Sequence, residues 1–257
     1  MLNSFKSWAV YVPAFTCCST YSTVGPIFHS GLVSTNAAAS LLWSVRLDYA
    51  CPVTVVNVER GRLDVARAIA EHVPAEERAE TQERAAIALG RAAVARGEGR
   101  WEDALQRAVE AASLGGTIGN FHVLFKQAIA AALDAAVALD NPSRTDEIFE
   151  RIRRLSPGVR TPLVDAQLAR YDAHLAAGAG ELDGADRRFR NAAELLREVG
   201  ARFYLAVVLL EHGEHLTAER PDEAEPLLAE ACEIFERLEA APWLERAGRL
   251  QSERMFA

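Results

Sequence analysis

From residue 61 onward, small and apolar residues recur with one spacing: a small residue, then small or apolar residues four and seven positions later. Five segments carry it: Ala66/Ala70/Val73, Ala104/Ala108/Ala111, Thr145/Phe149/Ile152, Ala185/Phe189/Ala192 and Ala224/Leu228/Ala231. Positions i, i+4 and i+7 share one face of an α-helix, so each trio predicts a helix with one buried stripe. The trios start 38, 41, 40 and 39 residues apart. A fixed period of this length is the mark of stacked helical repeats.

A turn signal precedes every trio: Gly61-Arg62-Leu63, Gly99-Arg100-Trp101, Asp140-Asn141-Pro142, Gly180-Glu181-Leu182 and Glu219-Arg220-Pro221. Glycine accepts the left-handed backbone at a helix end, and proline suits the first turn of the next helix. Before the last four turns the pattern predicts long helices over about 76–97, 119–139, 161–179 and 201–218. The helices carrying the trios are expected to close at Pro74, Gly115-Gly116, Ser156-Pro157-Gly158, Gly200 and Ala241-Pro242. Each unit reads as helix, short turn, helix, and a final partial helix around Trp243–Met255 would cap the stack.

These hairpins resemble tetratricopeptide repeats. The Ala-x-x-x-Phe step of that family's second helix stands intact at Ala185–Phe189, and survives as Ala104–Ala108, Ala224–Leu228 and Thr145–Phe149. Leu89-Gly90 and Tyr171 echo the first-helix positions loosely, and the period near 40 implies longer helices than the usual 34-residue repeat. The resemblance implies an all-α fold, a right-handed superhelical array of antiparallel helix hairpins (a tetratricopeptide-like α-solenoid).

Residues 160–247 carry a second resemblance. Pro162-Leu163-Val164-Asp165-Ala166-Gln167-Leu168-Ala169-Arg170, Leu209-Leu210-Glu211-His212-Gly213-Glu214, Glu223-Ala224-Glu225-Pro226-Leu227-Leu228-Ala229-Glu230-Ala231, Ile234-Phe235-Glu236-Arg237-Leu238 and Pro242-Trp243-Leu244-Glu245-Arg246 are similar to the C-terminal helical region of actinobacterial adenylate/guanylate cyclase-like proteins and related large ATPase regulators. In that family such arrays follow an ATPase domain and act as sensor or docking surfaces. The catalytic part does not carry over, because no Gly-x-x-x-x-Gly-Lys-[Ser/Thr] loop is present and Lys6 and Lys126 are the only lysines.

Charge refines this picture. The net charge is −8, which argues against general nucleic-acid binding, since that needs a basic face. Residues 1–57 carry only Lys6, Arg46 and Asp48, whereas the other 200 residues carry the remaining 61 charges. The chain therefore divides into an atypical, charge-poor segment, 1–57, and a repeat domain, 58–257. No stretch reaches the roughly 18 apolar residues of a membrane span, and the flanks of Trp8–Phe15 make a poor signal peptide. Within the first segment, residues 36–50 are expected to form a degraded first helix, ended by Pro52 and Val53-Thr54-Val55-Val56. Residues 1–35 fit no repeat and read as an added cap or as unrelated sequence at the start of the gene. Cysteines at 17, 18, 51 and 232 form no CxxC pair, which suits reduced thiols in the cytoplasm.

Candidate chemistry is sparse. Glu211-His212-Gly213-Glu214-His215 invites a zinc comparison, but its histidines are three apart and match neither His-Glu-x-x-His nor His-x-x-Glu-His. A metal-dependent hydrolase at His212 and His215 is thus the weakest functional alternative. Carboxylate pairs such as Glu76-Glu77, Asp146-Glu147 and Asp222-Glu223 fall in first helical turns, where they offset the helix dipole. Gly115-Gly116-Thr117-Ile118-Gly119 follows a helix rather than a strand and reads as a turn between repeats. No catalytic residue, cofactor or metal is expected.

A binding function would use the groove lined by the first helix of each unit. Counting back from each turn places Arg96, Gln127, Asp134, Gln167, Arg170 and His174 on that concave side. The expected function is a non-catalytic interaction or sensor module that docks a protein or peptide segment or responds to a small-molecule effector, with no nucleic acid and no membrane partner. It would correspond to the detached C-terminal part of a larger regulator, the alternative being an autonomous or non-functional remnant.

Overall fold

A computed structural model describes residues 47–72, 80–119 and 122–256 of the chain. Among these residues there are eleven α-helices, two short 3-10 turns and no strand. The helices are α1 (Leu47–Glu59), α2 (Leu63–Glu71), α3 (Thr81–Gly97), α4 (Trp101–Ile118), α5 (Val123–Ala138), α6 (Asp146–Arg153), α7 (Pro162–Gly178), α8 (Leu182–Glu198), α9 (Arg202–Leu216), α10 (Pro221–Leu238) and α11 (Ala241–Phe256).

One turn chemistry is reused along the chain. Gly61, Gly99 and Gly180 take φ of +75°, +72° and +76°, and Asp140 fills the same role at +52°. At each of these turns the following residue's N–H closes a six-residue loop back to the helix: Arg62 to Asn57, Arg100 to Ala95, Asn141 to Ala136 and Glu181 to Ala176, all at 2.8–2.9 Å. These are Schellman closures, which satisfy carbonyls left free at a helix end. Repetition of the turn sends each second helix back along its partner.

The repeated trios are buried: Ala104, Ala108 and Ala111; Thr145, Phe149 and Ile152; Ala185, Phe189 and Ala192; Ala224, Leu228 and Ala231. Small residues allow close approach, and the larger ones fill the space toward the next unit. Each helix packs on a chain neighbour, and α3 also packs on α1 and α5, and α5 on α7. Helix α11, at the far end, reaches back to α1.

Two boundaries differ from the sequence expectation, and others lie beyond what is described. The part of the expected helix 36–50 before Leu47, with all of 1–35, lies outside the described residues, as do 73–79. Pro52 does not end a helix but sits inside α1. An interior proline costs ~3 kcal/mol or more, and burial of the apolar Cys51 and Val58 acts against that cost. Gly115 and Gly116 do not close α4, which continues to Ile118. A Cβ at Gly115 would lie 3.0 Å from the Phe125 backbone, so that glycine serves a close helix crossing instead of a turn.

Candidate functional site

Helices α1, α3, α5, α7, α9 and α11 each contribute one ionisable residue to a series: Glu59, Arg96, Asp134, Arg170, Glu211 and Arg246. Arg96 meets Glu59, and Arg170 meets Asp134 and Glu211, while Arg96 feels Asp134 and Arg246 feels Glu211 only through space. Their charges alternate in sign. At one end, Arg96 pairs with Glu59, and the other Glu59 oxygen accepts the Trp243 indole N–H at 2.7 Å. In the middle, Arg170 is 1% exposed. Its Nε and Nη2 donate to the two oxygens of Glu211 at 2.7 and 2.5 Å, and its Nη1 donates to Gln167 at 3.3 Å. Nη2 also lies 2.7 Å from Asp134 Oδ1, although that oxygen has no well-aligned hydrogen bond. His174 Nε2 stands 3.0 Å from Glu211. At the far end Arg246 grips both oxygens of Glu214 at 2.7 and 2.5 Å and lies over the Trp243 ring.

Burial would raise the Glu211 carboxyl, but the charges and hydrogen bonds of Arg170 and His174 overcome it and hold the group far below the usual carboxylate range. For Arg170 the balance is the same: burial disfavours the cation, while Glu211 and Asp134 more than restore it. Glu59 goes the other way. Desolvation raises its carboxyl above the ordinary value against the pull of Arg96 and the Trp243 hydrogen bond, and the like charge of Asp134 adds to the rise.

A cavity of about 40 Å³ lies inside the series. Glu59, Arg96, Gln127, Asp134 and Tyr204 supply its polar wall, and Phe203 with Val55 much of its apolar wall. Its size suits water molecules rather than an aromatic ligand. The six groove residues expected from the sequence fall into two groups around this interior. Arg96, Gln127 and Asp134 line the cavity, whereas Arg170 and His174 contact Glu211 and Gln167 accepts from Arg170. Gln167 is fully buried and its Nε2 has no partner. Arg96, Gln127, Asp134 and His174 are half-buried, and Gln167 and Arg170 are buried. Glu59, Tyr204, Glu211, Trp243 and Arg246 complete the set and were not singled out. A search for ionisable residues 35–41 positions apart would have found all but the aromatic pair.

Comparison with known protein families, with curated proteins and with solved structures returned no match. The reading of the site therefore rests on its own geometry.

His212 and His215 lie outside the series. His212 is buried, its Nε2 donates to Asp186 Oδ1 at 2.7 Å, and its ring stacks on Phe189. Burial lowers its tendency to protonate, with Asp186 opposing in part. His215 Nε2 is 3.5 Å from the Leu182 carbonyl. Among the described residues, no three His, Cys, Asp or Glu side chains are grouped to hold a metal ion. Of the arginines near the end of α6, Arg153 pairs with Glu150 and Asp172 and lies over Tyr171. Among the described residues no helix is long and apolar enough to cross a membrane.

Proposed function

We propose that the chain is a non-catalytic docking or sensor module, a tetratricopeptide-like α-solenoid of the kind that follows the ATPase domain in cyclase-like regulators. The reading rests on one observation: these helices meet through charged and polar residues where an apolar core would serve stability equally well or better. Burying an ion pair costs desolvation that its attraction repays incompletely, and apolar replacements of similar volume are often as stable. The half-buried polar groups Arg96, Gln127, Asp134 and His174, spread over successive repeats, are suited to hydrogen-bonding an incoming chain segment. Gln127, half-buried at the cavity wall, would contact such a segment.

The test is selection from a displayed peptide library on the immobilised full chain, followed by calorimetry. A selected peptide should bind with saturation, weaken about tenfold on Gln127→Arg, and be indifferent to Arg237→Glu on the outer helix α10. No selected peptide, or one that depends on Arg237 and not on Gln127, would reject the reading.

A further inference from the structure

The apolar core is divided in two. One cluster runs from Cys51 to Tyr171 and the other from Leu163 to Ala247. Helix α7 belongs to both, giving Val164 and Tyr171 to the first and Leu163, Ala166, Ala169, Ala173 and Ala176 to the second. A satellite of Val58, Ala66, Ala93 and Val94 ties α2 to the first lobe. Among the described residues, no buried apolar side chain of α9, α10 or α11 belongs to the first cluster.

The lobes nevertheless touch a second time, where the last helix returns to the first. That seam holds the Glu59–Arg96 pair, the Trp243 indole and the 40 Å³ cavity. At its outer edge Glu239 lies 3.5 Å from Arg60 and 3.4 Å from Arg62, and the Pro242 ring lies against Gly61. Glu239 takes a left-handed φ of +56° at the end of α10. Trp243 itself packs on Phe203 and Phe235 of its own lobe, so parting the lobes would remove its hydrogen bond to Glu59 and its contact with Arg96, not its apolar neighbours. Exposed ion pairs hold weakly, and a charged, cavity-bearing seam lacks the interlocked packing that makes a core cooperative.

We propose that the chain is a two-lobed clamp hinged on α7, opening at the seam between α1 and α11 without unfolding either lobe, with the α1–α2 turn and the α10–α11 turn as its latch. Opening uncovers Glu59, Arg96 and Trp243. That these groups then meet a docked segment rests on the function proposed above; the motion does not, and its test needs no partner.

The test is hydrogen exchange of the Trp243 indole N–H in the full-length ¹⁵N-labelled chain, compared with the amides of Leu133 in one lobe and Leu210 in the other. After correction for intrinsic rates, the indole should exchange roughly 100-fold faster than either amide, as local opening requires. Glu239→Lys, an exposed change that leaves the cores intact, should speed the indole about fivefold and leave Leu133 and Leu210 unchanged. Equal rates at all three sites, or all three rising together, would overturn the clamp. A second variant locks the latch. A Cβ placed at Gly61 falls 3.8 Å from that of Ala241, which is disulfide spacing. Oxidised Gly61→Cys/Ala241→Cys protein should slow indole exchange at least about tenfold, and reduction should restore it; equal rates in the two forms would also overturn the proposal.

Discussion

Replacing Arg170 with methionine keeps much of the side-chain volume but strands a buried carboxylate. Glu211 is 3% exposed and receives two charge-assisted bonds from Arg170 at 2.7 and 2.5 Å. Breaking a buried pair by removing one partner costs ~3–5 kcal/mol. For a domain of this size each kcal/mol moves the midpoint by ~2–4 °C, so the loss is roughly 6–20 °C. The double variant Arg170→Met/Glu211→Leu removes the stranded charge and should be more stable than Arg170→Met alone, giving a coupling of roughly 2 kcal/mol or more. Urea unfolding followed by circular dichroism measures all four corners of the cycle. pH supplies a check with a definite sign. Glu211 is held below its ordinary value of 4.5 in the folded chain, so its contribution is full above that value and is lost as pH falls toward the lowered one. The gap between parent and Arg170→Met should therefore narrow as pH falls, beginning where the stranded Glu211 carboxyl of the variant first takes up a proton and ending at the lowered value in the parent. Arg170→Met within ~1 kcal/mol of the parent at pH 7, or losses that simply add in the double variant, would refute the idea that Arg170 and Glu211 act as one unit.

Other consequences are simpler to read. Gly213→Ala would place a Cβ 2.6 Å from Leu228 and should destabilise by ~1–3 kcal/mol. By contrast, Gly248→Ala in α11 meets nothing within 4 Å and should stabilise by up to ~1 kcal/mol; thermal midpoints that move together would contradict this. Cys51 is buried and its thiol is pushed up to about 12, so iodoacetamide at pH 8 should modify it only as fast as the protein opens, and prompt labelling seen by mass spectrometry would show otherwise. His212 protonates below its usual 6.5, so its contribution is present above 6.5 and lost as pH falls through the lowered value. The urea midpoint should drop from pH 7.5 to 5.5 in the parent and less so in His212→Gln; equal drops would remove His212 as the cause.

The helices were legible because their causes are local. The i, i+4, i+7 stripe and the turns at Gly61, Gly99, Asp140 and Gly180 depend on residues a few positions apart. Register counting groups Arg96, Asp134 and Arg170 by their offset from each turn. What it could not reveal is how they are paired. The Trp243–Glu59 bond joins positions 184 residues apart, and no local pattern announces that the last helix returns to the first. Pro52 was misleading for a related reason. Its helix-breaking tendency is intrinsic, whereas the burial of Cys51 and Val58 that overrides it is tertiary. Gly115 reads as a turn by residue type, yet it acts as a close contact with Phe125.

The closed interior stands or falls on the meeting of the first and last described helices. Its most direct measurement is oxidation of the full-length Gly61→Cys/Ala241→Cys variant, with the crosslink mapped by non-reducing proteolysis and mass spectrometry. The 3.8 Å separation of the two Cβ positions predicts an intramolecular disulfide between residues 61 and 241, formed against the ~1–2 kcal/mol that a side chain costs at the left-handed φ of residue 61, with helicity retained. Failure of those thiols to join within one chain under conditions that leave it folded would contradict the closure.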